Sequence, residues 1–231
     1  MEVFTYQGQE LDVFAGASNW KRYWGSRLRK WISGDVLEPG AGIGANTVLL
    51  QNPEVRSWHC LEPDARLAAR LARAVTHLPN CSVTQGMVAA VAGKSFDTIL
   101  YVDVLEHIAD DRGELAAAAS LLRAGGRLVV LSPAHPFLFS PFDRAIGHYR
   151  RYERASMLAC SPPGCPVESL FWLDAVGMLA SLGNRLVLHS RHPTPGQIRF
   201  WDRYMIPVSR VLDPVLGYRL GRTMCAVWRR T

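Results

Sequence analysis

Lysine is nearly missing from this chain of 231 residues: three lysines stand against 23 arginines. Genome composition can produce such a skew, so arginine preference is not itself read as recognition chemistry. No run of about 18 apolar residues occurs, and this argues against a membrane-spanning helix. Met1-Glu2-Val3-Phe4 carries an acid and no basic region, so it does not read as a secretory signal. The five cysteines, at 60, 81, 160, 165 and 225, are odd in number and scattered. Cys160 and Cys165 flank Ser161-Pro162-Pro163-Gly164, but no second pair completes a zinc site. Reduced thiols in a cytoplasmic protein are expected. No metal-ligand spacing is evident in the sequence, and metal-assisted chemistry is disfavoured on that ground. Internal repeats and low-complexity segments are lacking too.

What is present suits one α/β domain with a sizeable core, since 48% of residues are hydrophobic. Charge is uneven. Residues 1–132 carry 13 basic and 14 acidic side chains, and 133–231 carry 13 and 6, so the net +6 sits in the second half. A basic half favours acidic partners, whether phosphorylated substrate, nucleic acid or membrane surface, although a solvated basic face is equally consistent.

The most informative stretch is Val36-Leu37-Glu38-Pro39-Gly40-Ala41-Gly42-Ile43-Gly44. It reads as a short apolar strand ending in an acid, followed by alternate glycines that permit tight turns and close approach of a ligand. Asn46-Thr47-Val48-Leu49-Leu50 then opens a helix whose unpaired N–H groups point toward the loop. A second strand, Ser57-Trp58-His59-Cys60-Leu61, ends in Glu62, 18 positions past Gly44. An acid at that spacing can accept both hydroxyls of a ribose. Gly40, Gly42 and Ala45 also satisfy the dinucleotide pattern, but Glu38 would repel a pyrophosphate and suits an ammonium or sulfonium group.

With Leu61-Glu62-Pro63-Asp64, Phe96-Asp97-Thr98-Ile99-Leu100-Tyr101-Val102-Asp103-Val104-Leu105-Glu106-His107-Ile108 and Leu122-Arg123-Ala124-Gly125-Gly126-Arg127-Leu128-Val129-Val130, the chain resembles the class I S-adenosylmethionine-dependent methyltransferases of small-molecule type. The resemblance covers roughly 35–135. It implies a doubly wound, mostly parallel seven-stranded sheet with an antiparallel last strand, an N-terminal helix and a C-terminal and lid cap. It also implies S-adenosyl-L-methionine as cofactor, held by Tyr23, Glu38, Gly40, Ala41, Gly42, Gly44, Glu62, Pro63, Met87, Val88, Asp103 and Val104. Many relatives carry an acid after the third strand for the adenine amino group. Here Gly86 is followed by Met87, so backbone amides and the Met87 side chain are expected to hold adenine.

The chain is expected to form one domain: a helical cap over 1–33, a cofactor core over 34–133, a lid over 134–165 and closing strands and helices over 166–231. Strands are predicted near 35–38, 57–61, 82–85, 97–102, 127–132, 167–173 and 224–228. Helices are predicted over 17–31, 44–52, 64–75, 112–122, 175–190 and 197–212. The span 133–165 is too long for an ordinary connection and reads as a lid. It holds the densest polar group, with a Gly-His-x-Arg-Arg-Tyr segment that some small-molecule and glycan-type methyltransferases resemble. His148 is the first candidate for a general base, His135 the second and His107 the third. Tyr149, Arg150 and Arg151 could orient an anionic acceptor, and pairing of Asp143 with Arg150 or Arg151 would fold the lid. Phe200-Trp201, Tyr204, Met205, Ile206 and Val208, flanked by Arg199, Arg203 and Arg210, read as packing or as a peripheral membrane contact.

The expected function is methyl transfer to a small-molecule acceptor in a biosynthetic pathway, with no nucleic-acid partner expected. An RNA methyltransferase is the first rival, but Asp103-Val104-Leu105-Glu106 stands where an Asn-Pro-Pro-Tyr-like tetrapeptide would follow the fourth strand. A non-catalytic cofactor-binding partner protein is the second.

Overall fold

The computed structural model describes residues 14, 16–183 and 194–231. Its centre is a seven-stranded sheet in the order β3-β2-β1-β4-β5-β7-β6. In chain order the strands are β1 (Gly34–Pro39), β2 (Val55–Glu62), β3 (Cys81–Gln85), β4 (Phe96–Val102), β5 (Leu122–Pro133), β6 (Val167–Leu173) and β7 (Thr223–Arg229). The first five are parallel, and β7 runs antiparallel between β5 and β6. This is the sheet expected from the sequence. β5 begins earlier than expected because Leu122 already pairs with Phe96, and a register shift at the Gly125-Gly126 turn separates that pair from the regular ladder.

Apolar runs form these strands because both faces are covered. Alternate residues of β5 show it: Val129 and Leu131 join a core with Trp20, Trp24, Leu28, Trp58 and Leu71, whereas Leu128 and Val130 join Leu115, Ala118 and Met157 on the other side. Helix α1 (Ser18–Leu28) and a 3₁₀ turn over Arg29–Trp31 cover the first face. Helices α2 (Ala45–Leu50) and α3 (Ala65–Ala74) follow β1 and β2. Asp64 caps α3, accepting from the amides of Arg66 and Leu67. Helix α4 (Asp111–Ser120) connects β4 to β5.

The lid span is more regular than a loop. It contains a 3₁₀ turn at Pro136–Leu138, then α5 (Pro141–Ala145) and α6 (Arg154–Ala159). Ser140 and Asp143 form a reciprocal capping box on α5. Beyond β6 come α7 (Ala175–Gly183) and α8 (Pro195–Phe200), which runs through one wide π turn, Trp201–Met205, into α9 (Ile206–Val215). Pro207 has no amide to give, and the helix widens in the turn before it. The part of the expected 175–190 helix beyond Gly183 lies outside the described residues. Trp201 and Ile206 are buried, whereas Phe200, Tyr204 and Val208 face outward. No helix of the described residues is long and apolar enough to cross a membrane.

Buried aspartates join this C-terminal layer to the core. Asp202 accepts from the amides of Asn19 and Trp20 at 3.2 and 2.8 Å. Asp213 accepts from the Tyr23 hydroxyl and the Asp174 amide, both at 2.7 Å. Asp174, in the left-handed region at φ 68°, accepts from the Trp201 indole and the Ser209 hydroxyl, each at 2.8 Å.

Gly44 shows why a glycine ends the loop. Its φ is +82°, and a Cβ there would stand 2.8 Å from Leu71 Cδ1 on α3. Gly44→Ala should cost about 2–5 kcal/mol, the sum of left-handed backbone strain and overpacking. Urea denaturation of the variant checks this, and a loss below about 0.5 kcal/mol would contradict the packing argument.

Candidate active site

The carboxyl ends of β1, β2, β4 and β5 open on one cavity of about 480 Å³. That is the crevice in which open α/β sheets bind ligands. Its floor is the turn after β1, where Gly40 and Gly42 take φ of +67° and +58°. A Cβ on Gly40 would lie 2.7 Å from Val104 Cγ2, so glycine lets the turn press against the segment after β4.

At one end, Glu62 binds the loop with both oxygens. Oε2 accepts from the Gly42 amide and Oε1 from the Asp64 amide, each at 2.9 Å. Each carboxylate oxygen keeps a second acceptor position. Burial raises the Glu62 carboxyl, and the two amides work against that rise. Gly40, Ala41, Gly42, Glu62, Pro63, Met87, Val88, Asp103 and Val104 all line the cavity. Met87 is 59% exposed, an apolar side chain lying open at the mouth.

Three residues expected at the cofactor do not line it. Glu38 lies beneath the loop, where its Oε2 accepts from the Thr47 hydroxyl at 2.6 Å and the Trp58 indole at 2.8 Å. Desolvation pushes its carboxyl up to about 7. Gly44 is turned against α3, as described above. Tyr23 is fully enclosed and holds Asp213. In each case a partner distant in sequence takes up the residue.

The opposite end is polar and crowded. Asp103 sits at φ 53°, a strained value for a side chain other than glycine. Desolvation pushes its carboxyl up to about 6 against the opposing charges of His148, Arg222, Lys21 and Arg151. Lys21, from α1, is itself lowered by burial. Glu106 is completely buried. Its Oε2 accepts from Ser132 at 3.0 Å, while Oε1 has no hydrogen-bond partner. Desolvation and then the charge of Asp103 raise the Glu106 carboxyl well above its ordinary range.

The lid supplies the rest. His148 donates from Nδ1 to Asp143 Oδ1 at 3.0 Å, and its Nε2 lies 3.9 Å from Glu106 Oε1. The rings of His148 and His107 meet edge to face, with centroids 4.5 Å apart. Desolvation first, and then the His148 charge, push His107 down to about 4. Arg151 donates from Nε and Nη2 to the two oxygens of Asp143 at 2.9 and 3.0 Å. Of the two pairings the sequence left open for Asp143, the fold uses Arg151.

Arg150 turns the other way, to Asp111 and the Ala109 carbonyl. Tyr149 is 61% exposed and Arg150 lines a separate cleft, so of the three expected acceptor contacts only Arg151 reaches the cavity. His135, at φ 67°, donates from Nε2 to the Gly221 carbonyl at 3.0 Å and lies against Phe137, away from the cavity. Alternation along an extended segment explains the split between neighbours 150 and 151.

Several cavity residues carry no local signal in the sequence. Trp20 and Lys21 come from α1, Phe142 and Ile146 from around α5, and Arg222 and Thr223 from the start of β7. Glu106 was legible only as part of the segment after β4. Together with His107 and His148 it brings three potential metal-ligating atoms within 4.8 Å of one another. No local spacing in the sequence signals this group, because His148 arrives from 41 positions away on a different element.

Residues 19–167 match the methyltransferase-domain family, and the chain belongs to that family. It is 29% identical over 168 residues to the demethylmenaquinone methyltransferase of Tropheryma whipplei, a match covering 64% of this chain and 63% of that protein. It is 30% identical over 123 residues to the ubiquinone biosynthesis O-methyltransferase of Parvibaculum lavamentivorans, covering 49% and 44%. The chain thus spans less than two thirds of either relative. Among solved structures, the N-methyltransferase NodS of Bradyrhizobium japonicum with S-adenosyl-L-homocysteine superposes with a TM-score of 0.61 at 14% identity, covering 99% and 94%. The [4+2]-cyclase SpnF gives the same TM-score at 12% identity, covering 96% and 95%. These likenesses show the fold.

Burial works to raise the Asp143 carboxyl, but the His148 hydrogen bond, the Arg151 charge and the further hydrogen bonds from Arg151 and Ser140 outweigh it and hold the group well below its ordinary value. An acid depressed in this way stabilises the fold at pH above its unfolded pKa of about 3.9, and that contribution is lost as pH falls through the folded value. Asp143→Asn should therefore cost about 3–5 kcal/mol at pH 7, where it leaves Arg151 without its buried partner. The loss should shrink below about pH 4. Urea denaturation from pH 7 to pH 3 measures both, and a pH-independent loss would contradict the electrostatic account.

Proposed function

We propose that this chain transfers a methyl group from S-adenosyl-L-methionine to a small-molecule acceptor. The observation that carries the reading is one cavity, joining a glycine turn and a ribose-competent carboxylate at one end to a buried acid–histidine group at the other. The residues present suit the cofactor. Glu62 retains acceptor positions for two ribose hydroxyls, Met87 and Val88 offer an apolar surface for adenine, and Asp103 suits the ammonium of the methionine part. When bound, the cofactor supplies an electrophilic methyl on a sulfonium.

The chain's part is positioning: bringing the acceptor's atom near and in line with the methyl contributes much of the rate in such a displacement. Trp20, Phe142 and Ile146 exclude water from the acceptor side. Glu106, His107 and His148 receive the ionisable group of the acceptor. The names of the quinone-pathway relatives support a small aromatic or enolic acceptor in a biosynthetic pathway. The mostly apolar wall of the cavity suits such a molecule better than a polynucleotide, and the segment after β4 keeps Asp103 and Glu106 where an RNA-base enzyme would carry its tetrapeptide.

Titration calorimetry with S-adenosylhomocysteine tests the reading. The chain should bind one equivalent. Glu62→Gln should weaken binding about 10- to 150-fold, the value of a charge-assisted hydrogen bond. His148→Ala should leave that affinity within a few-fold and lower turnover about 100-fold in an acceptor screen. Tight binding of NAD in place of S-adenosylhomocysteine, or a Glu62 variant with unchanged affinity, would sink the proposal.

A further inference from the structure

Glu106, His107 and His148 are the one group of at least three histidine, cysteine or carboxylate side chains among the described residues whose donor atoms converge as metal ligands do. Four further features of the group bear on what it could hold.

First, Glu106 lines the cavity, and its Oε1 is buried with no hydrogen-bond partner, although the other oxygen of the same carboxylate is satisfied by Ser132. A buried polar atom left bare is unfavourable, so a partner at this position would relieve it. Second, His148 is held by a carboxylate: Asp143 takes its Nδ1–H and turns Nε2 toward Glu106. A carboxylate behind a histidine is the usual way a ligating ring is oriented and made more basic. Third, Arg151 and Ser140 fix that carboxylate in turn, so the orientation is not a matter of one free rotamer. Fourth, the His107 ring is hydrogen-bonded to the Gly147 backbone, next to His148 in the chain, so both rings are referenced to the same short turn.

The geometry points to a divalent transition-metal site formed by Glu106, His107 and His148, with the remaining positions of the ion open to the acceptor end of the cavity. Two imidazoles and one carboxylate suit zinc or a neighbouring first-row ion better than magnesium, which prefers an all-oxygen shell. For a tetrahedral ion with ligands at about 2.1 Å, neighbouring donors stand about 3.4 Å apart. The observed 3.9 Å edge between Glu106 and His148 therefore closes by about half an ångström on binding. The site deepens the proposed function and rests on it only for its role. A hydroxyl of the acceptor entering an open position would release its proton to water more readily there, as metal-bound water does, which favours an oxygen acceptor. His148 then serves as a ligand.

The test uses the whole chain, stripped with a chelator and titrated with Mn²⁺, followed by the paramagnetic resonance of the free ion, and with Zn²⁺ by calorimetry. One ion per chain should bind, and Glu106→Gln and His148→Ala should each weaken it at least tenfold. X-ray absorption of the zinc-loaded parent should give a nitrogen and oxygen shell with two imidazoles, a readout that needs no variant to fold. No stoichiometric binding, unchanged affinity in both variants, or a sulfur ligand from one of the cysteines would each overturn the site. S-adenosylhomocysteine is titrated in parallel. If it binds while no metal does, the metal site alone fails; if the metal binds and S-adenosylhomocysteine does not, the methyltransferase reading fails.

Discussion

The buried carboxylate of Asp143 is the joint on which the acceptor end of the cavity depends. Ser140, His148 and Arg151 all converge on it, so one acidic side chain caps α5, orients the histidine and neutralises the arginine. A buried aspartate can hold its charge only where donors surround it. Arg150 and Tyr152 tie the lid to Asp111 after β4, and the Asp143 pairing fixes the His148 end of it. With that pairing, the Tyr149 amide reaches the Glu106 carbonyl at 2.8 Å and the lid closes against the segment it must face.

The same device recurs across the molecule. Asp174, Asp202 and Asp213 join the C-terminal helices to α1 and β6 through backbone amides, an indole and two hydroxyls. Glu62 does it for the glycine turn and Glu38 for the strand beneath. Where such an acid lacks enough donors, desolvation wins and the carboxyl rises, as at Asp103 and Glu106. Hydrogen bonds alone do not hold such a carboxyl down, since burial also raises Glu38, Glu62 and Asp213; at Asp143 the Arg151 charge joins the hydrogen bonds and burial is outweighed. Perturbed acids in a cleft are the places where ligands are most often handled.

Local sequence was enough for the sheet, because each parallel strand is an apolar run bounded by turns and both faces are covered. Its two clusters follow from simple alternation along β5. The glycine turn and Glu62 were equally legible, since their geometry is set within a few residues. Legibility failed where the partner was remote. Nothing near Glu38 says that Thr47 and Trp58 will take its carboxylate, and nothing near Tyr23 says that Asp213, 190 positions on, will accept its proton. Arg150 and Arg151 are identical in type and adjacent, so only the path of the backbone decides which one meets Asp143. The Glu106–His107–His148 group shares this limit, because two of its members come from the end of β4 and the third from the lid.

In the proposed function, the turn after β1 and the end of β4 bound one ligand between them. A crystal structure of the chain grown with S-adenosylhomocysteine tests it most directly. The expected density places ribose hydroxyls on Glu62, adenine against Met87 and Val88, and the thioether sulfur between Asp103 and the Glu106–His148 end. Ligand density lying outside this cavity, or inside it with the ribose turned away from Glu62, would contradict it.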